Sequence, residues 1–168
     1  MVCQVDRLCR TLPASIGKVL NDLPKTLDET YARTLQSIDE EKREYAQRLF
    51  RCLTVSIRPL RVKELAEVLA IQFDAASPIF NVDWRPENPG ESVLSVCSSL
   101  VAIVDRGGHQ VVQFSHFSVK EYLTSERLAT AEERLSYYHI LPEPAHTILA
   151  HAASVSSSNS MTKSTEMP

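Results

Sequence analysis

Residues 100–123, LVAIVDRGGHQVVQFSHFSVKEYL, constrain the fold more than any other stretch. Two β-rich runs, Val101–Val104 and Gln110–Phe114, flank Asp105–His109. Gly107 and Gly108 supply the positive φ that a tight hairpin needs. The pattern then changes at once. "SVKE" reads as a capping box, with Ser118 as N-cap and Glu121 at N3, and Phe117 with Tyr122 reads as a hydrophobic staple. A strand must therefore end, and a helix begin, around His116, which lies two residues before that cap. On the residues alone this imidazole has four readings: packing, a catalytic base, a metal ligand, or a contact to phosphate.

The segments before the hairpin are helical. "TLDE" is another capping box, opened by Thr26 and closed by Glu29, and Leu27, Tyr31, Leu35 and Ile38 share one face. Asp39, Glu40 and Glu41 place acids at the positive end of a second helix, whose stripe is Tyr45, Ala46, Leu49, Phe50 and Leu53 before Pro59 stops it. A third helix from about Val62 buries Val62, Leu65, Ala66, Val68 and Leu69. Residues 72–91, with Pro78, Pro86, Pro89 and Gly90, read as a long loop that serves as a surface excursion or docking segment, with Trp84 covering an apolar patch. "ESVLSVCSSL" reads as a short helix with Val93, Leu94, Cys97 and Leu100 inward.

The flanks are less specified. Cys9, Leu12, Ile16, Val19 and Leu20 have rough helical spacing broken by Pro13. Beyond Leu128 the pattern is weakly helical, with a fresh start near Pro144, and "SVSSSNSMTKSTEMP" predicts disorder. The division expected is 1–38 as the end of a preceding helical segment, 39–129 as a winged-helix domain, 130–153 as the start of a following helical segment, and 154–168 as a disordered tail.

Helix, helix, helix, hairpin, helix is the order of a mainly α winged helix with one β-hairpin wing. That fold serves DNA binding and protein regulation alike, so function must come from particular residues. A DNA reader carries Arg, Lys, Asn or Gln on its recognition helix. Here that helix has no basic residue, and the wing offers only Arg106 and His109. The charge is also wrong for nucleic acid: residues 1–71 carry 12 Lys+Arg against 10 Asp+Glu, or +2, and residues 72–168 carry 6 against 11, or −5. No apolar run is long enough to span a membrane, and the start lacks a signal peptide's apolar stretch, so a cytoplasmic setting is expected. The four cysteines, Cys3, Cys9, Cys52 and Cys97, form no C-x-x-C pair and read as reduced thiols.

Catalytic patterns are missing. Gly17-Lys18 lacks the rest of a P-loop, and no G-x-S-x-G elbow occurs. Cys97 with His116 is a conceivable nucleophile pair, but Cys97 reads better as part of an inward face. Cys97, His109 and His116 match no short metal-ligand spacing. His139, His146 and His151 read as solvated residues of a poorly specified tail. Asp39–Glu40–Glu41 and Glu132–Glu133 read as solvated helix ends. The expectation is a chain that is not an enzyme.

Four stretches in order, "LPKTLDETYARTL" (23–35), "RPLRVKELAEVLAI" (58–71), "VLSVCSSLV" (93–101) and "FSHFSVKEYL" (114–123), resemble the winged-helix region of fungal NACHT-type STAND NTPases. These are large signalling proteins, similar in plan to NOD-like receptors and plant resistance proteins, often followed by ankyrin or WD repeats. The same winged-helix family bears the name of the GPI inositol-deacylases, though no lipase motif is present. The resemblance spans roughly residues 4–150, and it implies that residues 1–38 end the helical lid segment of a nucleotide-binding module. It implies a regulatory module that closes over ADP in the full-length protein, with an upstream NACHT nucleotide-binding domain and downstream repeats as partners. ADP or ATP would then be a ligand of the full-length protein alone, and this chain would be a fragment without its P-loop domain. A free-standing protein-interaction adaptor and a DNA-binding winged helix are the alternatives. The receptor-type pattern Phe-x-His-x-Ser/Thr-x-x-Glu-Phe/Tyr is met by Phe114, His116, Ser118, Glu121 and Tyr122. It implies that His116 contacts the β-phosphate of ADP. Plant and apoptosome relatives have Met-His-Asp there, and this chain has Ser115, His116 and Phe117, so the acid is absent. The other reading of His116 is a buried ring bonded to a backbone carbonyl.

Overall fold

The computed structural model describes residues 26–72 and 79–141. The readings for residues 1–25, for Pro78, for the helix start near Pro144, for the tail and for Cys3, Cys9, His146 and His151 lie outside those residues.

Helix α1 (Leu27–Gln36) starts as its sequence demands: the Thr26 hydroxyl accepts from the Glu29 N–H at 3.2 Å. Tyr31, Leu35 and Ile38 are buried. Leu27, expected on the same face, is 55% exposed, because it lies one turn ahead of the first residue that meets the core. A 3-10 turn, Glu40–Lys42, leads into α2 (Arg43–Val55). Ala46, Leu49, Phe50 and Cys52 are buried there, and Tyr45 and Leu53 pack against them.

After Pro59 comes β1 (Leu60–Arg61), then α3 (Val62–Glu67) with a 3-10 turn Val68–Ala70. The expected loop at 72–91 is shorter than its sequence reads. Strand β2 (Ile71–Gln72) pairs with β3 (Ile79–Phe80), a 3-10 turn covers Val82–Trp84, and α4 (Pro89–Cys97) already begins at Pro89. Two-residue strands have no period to read, and proline at a helix's first turn sacrifices no hydrogen bond. On α4 the inward residues are Val93, Val96 and Cys97, followed by Leu100, and Leu94 is 40% exposed. Spacing of three and four keeps the first set on one stripe, and Leu94 falls about 100° away from Val93.

Strands β4 (Val101–Arg106) and β5 (His109–Phe114) form the wing, longer than expected because Asp105, Arg106 and His109 join the ladder. Gly107 and Gly108 turn with φ of +62° and +79°, the signs of a type I′ hairpin. The Asp105 carboxylate accepts from the Gly108 N–H at 3.1 Å. The sheet is not the single hairpin expected. Its order is β1-β5-β4, with Leu60 opposite Val112 and Arg61 opposite Val111.

Helices α5 (Phe117–Leu123), α6 (Glu126–Ala129) and α7 (Glu133–Ser136) close the described chain. Residues 130–141 are well specified: Leu135, Tyr138 and Ile140 are buried, and the Ile140 N–H donates to Leu123 O at 2.9 Å. His139, expected solvated, is half-buried among them. The Phe50 ring lies 6.3 Å from that of Phe114 and 6.3 Å from that of Tyr138. Helix α2 thus joins the wing to the C-terminal segment, and one set of buried side chains runs from Tyr31 to Ile140. The architecture is mainly α, with the small antiparallel sheet of a winged helix.

Candidate functional site

The strand-to-helix junction is held from three sides. Beyond the end of β5, the Ser115 N–H donates to Leu100 O at 2.9 Å and its hydroxyl donates to Ser99 O at 2.9 Å. These bonds fasten the wing to the end of the α4 segment. His116 is extended, with φ −149° and ψ 147°, and α5 starts at the next residue. Val119, Tyr122 and Leu123 then bury one face of α5.

His116 itself is the N-cap. Its Nδ1 accepts from the Ser118 N–H at 3.3 Å and lies 2.6 Å from Ser118 Oγ. The sequence had pointed to Ser118 as the cap and to a Phe117–Tyr122 staple. Phe117 is instead the first helical residue and 70% exposed, with its ring 4.6 Å from the imidazole. An imidazole nitrogen can accept a helix-start N–H as a hydroxyl does, so the cap lies two residues nearer the N-terminus. Ser118 turns elsewhere: its Oγ lies 2.7 Å from the Tyr31 hydroxyl, across 87 residues of sequence. The Tyr31 ring packs on Tyr122 at 5.6 Å.

The His116 ring is exposed. The reading as a buried ring bonded to a backbone carbonyl is therefore incorrect; its partners are the amide and hydroxyl of Ser118. Nδ1 accepts, so the neutral ring carries its proton on Nε2. The exposed ring thus offers a donor to an anionic oxygen.

Other candidates are not assembled. Cys97 is fully buried, burial pushes its thiol pKa well above the ordinary range, and no hydrogen bond joins it to His116. Cys52 is buried likewise, with its pKa pushed up to about 12. A protonated, enclosed thiol is no nucleophile. His109 is exposed at the wing tip, and β5 holds it about 17 Å from Phe114, at about 3.4 Å per residue. Among the described residues no group of three or more His, Cys, Asp or Glu is placed to hold a metal ion. Ser118 and His116 have the separation of a nucleophile and its base, yet the Ser118 hydroxyl is engaged by Tyr31 and Nδ1 by the cap. Asp39 and Glu40 pair with Lys42 and Arg43, each at 3.4 Å, on exposed ground. No cation stands on α4, and the Arg106 guanidinium on the wing donates to Gln113 Oε1 at 3.3 Å. Trp84, 48% exposed, lines an open groove with Tyr45, Leu69, Pro86 and Val96. Among the described residues no helix is long and apolar enough to cross a membrane.

A family model described as the winged helix domain of GPI inositol-deacylase matches residues 31–133. The azaphilone pigments biosynthesis cluster protein L of Monascus ruber is 36% identical over 132 residues, which cover 76% of this chain and 27% of that protein. The chain thus spans little more than a quarter of the length of that curated relative. No solved structure matches.

Proposed function

The chain belongs to the family of the GPI inositol-deacylase winged helix domain, and from that premise we propose that it is the non-catalytic regulatory module of a STAND (NACHT-type) signalling NTPase. In this reading it works by contact with an upstream nucleotide-binding domain, in the cytoplasm, and not by chemistry of its own. The exposed His116 imidazole carries the proposal. Its Nδ1 is tied to Ser118, so Nε2–H is the donor left for the β-phosphate of bound ADP. A hydrogen bond to a charged oxygen is stronger than a neutral one. Loss of that contact would release the module from its closed arrangement.

The test joins this module to its matching nucleotide-binding domain and follows ADP release by fluorescent-nucleotide chase. A bond of about 1.5–3 kcal/mol makes His116→Ala release ADP about ten- to a hundredfold faster. Phe114→Leu, an apolar replacement on β5, serves as control. ADP release by a folded His116→Ala variant at the wild-type rate overturns the reading.

The groove beside Trp84 supports a second reading, a free-standing adaptor that binds a protein segment there. Trp84→Ala would then abolish capture of that segment by this chain on its own.

A further inference from the structure

Three side chains from two distant helices form one hydrogen-bonded chain. Tyr31 Oη lies 2.7 Å from Ser118 Oγ, and Ser118 Oγ lies 2.6 Å from His116 Nδ1. The direction of these bonds follows from a fourth group. The Ser118 N–H, 3.3 Å from Nδ1, can only donate. Nδ1 must therefore present its lone pair. The Ser118 hydroxyl then sends its proton to Nδ1, and the Tyr31 hydroxyl sends its own to Ser118. The chain runs one way: Tyr31 to Ser118 to His116.

The reverse direction is unfavourable because it costs α5 its cap, and it would change what the ring offers outward. A proton on Nδ1 would face the Ser118 N–H, and the cap of α5 would be lost. In the neutral ring Nε2 would then carry a lone pair outward, which repels an anionic oxygen. The direction of the chain thus decides whether the exposed edge of His116 attracts or rejects phosphate.

We infer that Tyr31 is a positioning residue for His116. Through Ser118 it adds to the amide's hold on the Nε2–H tautomer, and so the anion contact is strengthened when α1 is docked against α5. The functional consequence rests on the phosphate-contact reading; the tautomer lock does not. Helix α1 has a defined docked position. Tyr31 is 8% exposed with its ring against Tyr122, and Asp28 pairs with Arg127 of α6 at 2.6 Å. A pull on α1 that withdraws Tyr31 removes the donor to Ser118, frees the hydroxyl to reorient, and leaves the Ser118 N–H alone to keep Nδ1 an acceptor.

The test reads the tautomer directly. Imidazole 15N shifts of the labelled chain at neutral pH report the proton position on His116, and the exposed His109 is an internal reference. Tyr31→Phe keeps the ring stacked on Tyr122 and removes only the hydroxyl. One hydrogen bond corresponds to a fall of about two- to tenfold in the Nε2–H to Nδ1–H ratio, and Ser118→Ala should lower it further. An unchanged ratio in Tyr31→Phe, with the circular dichroism of wild type, overturns the role of Tyr31 whatever Ser118→Ala or nucleotide release shows. In the longer protein, Tyr31→Phe should speed ADP release and add nothing on top of His116→Ala. If the ratio responds but His116→Ala leaves ADP release unchanged, the phosphate reading falls and the lock stands.

Discussion

The hydroxyls of Tyr31 and Ser118 meet at 2.7 Å, joining the second turn of α1 to the first turn of α5. This contact explains why the capping signal of "SVKE" is misleading. A serine that looks made for its own helix start faces another helix, and the histidine before it takes over the cap.

The exchange of roles predicts how the two residues couple in stability. His116→Ala removes the cap acceptor and should cost about 1 kcal/mol. Ser118→Ala removes bonds to both His116 and Tyr31 and should cost about 1–2 kcal/mol. The double variant should lose less than the sum, since the two share a bond. Urea midpoints measure all three, and strict additivity would show that the Ser118–His116 bond contributes nothing.

The two buried thiols should be inert in the folded protein. Burial raises Cys52 to about 12 and lifts Cys97 further, so neither forms thiolate at mildly alkaline pH. Iodoacetamide followed by peptide mapping at pH 8 should label both positions only after denaturant is added. Fast labelling of the Cys97 peptide under native conditions would mean that the α4 face opens.

An acid-sensitive contact lies at the start of α3. Arg58 donates two bonds to the Glu64 carboxylate, each 2.8 Å, and the Arg61 N–H adds a third at 2.8 Å. Together they hold Glu64 below its ordinary pKa, the Arg58 bonds contributing most and burial opposing them. A folded-state pKa below the unfolded one means stability that is present above the unfolded value and lost as pH falls through the folded one. Both side chains are more than a third exposed, so solvent screening keeps the contribution small. Glu64→Gln should flatten the stability–pH curve below about pH 4.5 and change little at pH 2. Parallel acid curves for wild type and variant would remove this pair from the account.

Much of this molecule was legible in local sequence. The wing could be read because Gly107 and Gly108 tolerate the positive φ that side chains resist. The start of α1 could be read because a threonine three residues before a glutamate satisfies the helix's first amides. The stripes of α2 and α3 could be read because burial repeats with the helical period. His116 could be singled out by its place in a motif. What the sequence left undecided was everything set by partners distant along the chain. Strand β1 is two residues long and exists because β5 offers Val111 and Val112 to pair with. Leu94 is exposed, although its composition argues for the core, because α4 is rotated to present Val96. Tyr138 and Ile140 are buried because α2 and α5 form the surface they cover. The cap at His116 belongs to the same class. Local chemistry offered two acceptors for one amide, and Tyr31, brought in by tertiary packing, engaged Ser118 and left the imidazole to cap α5 with its outer edge facing solvent.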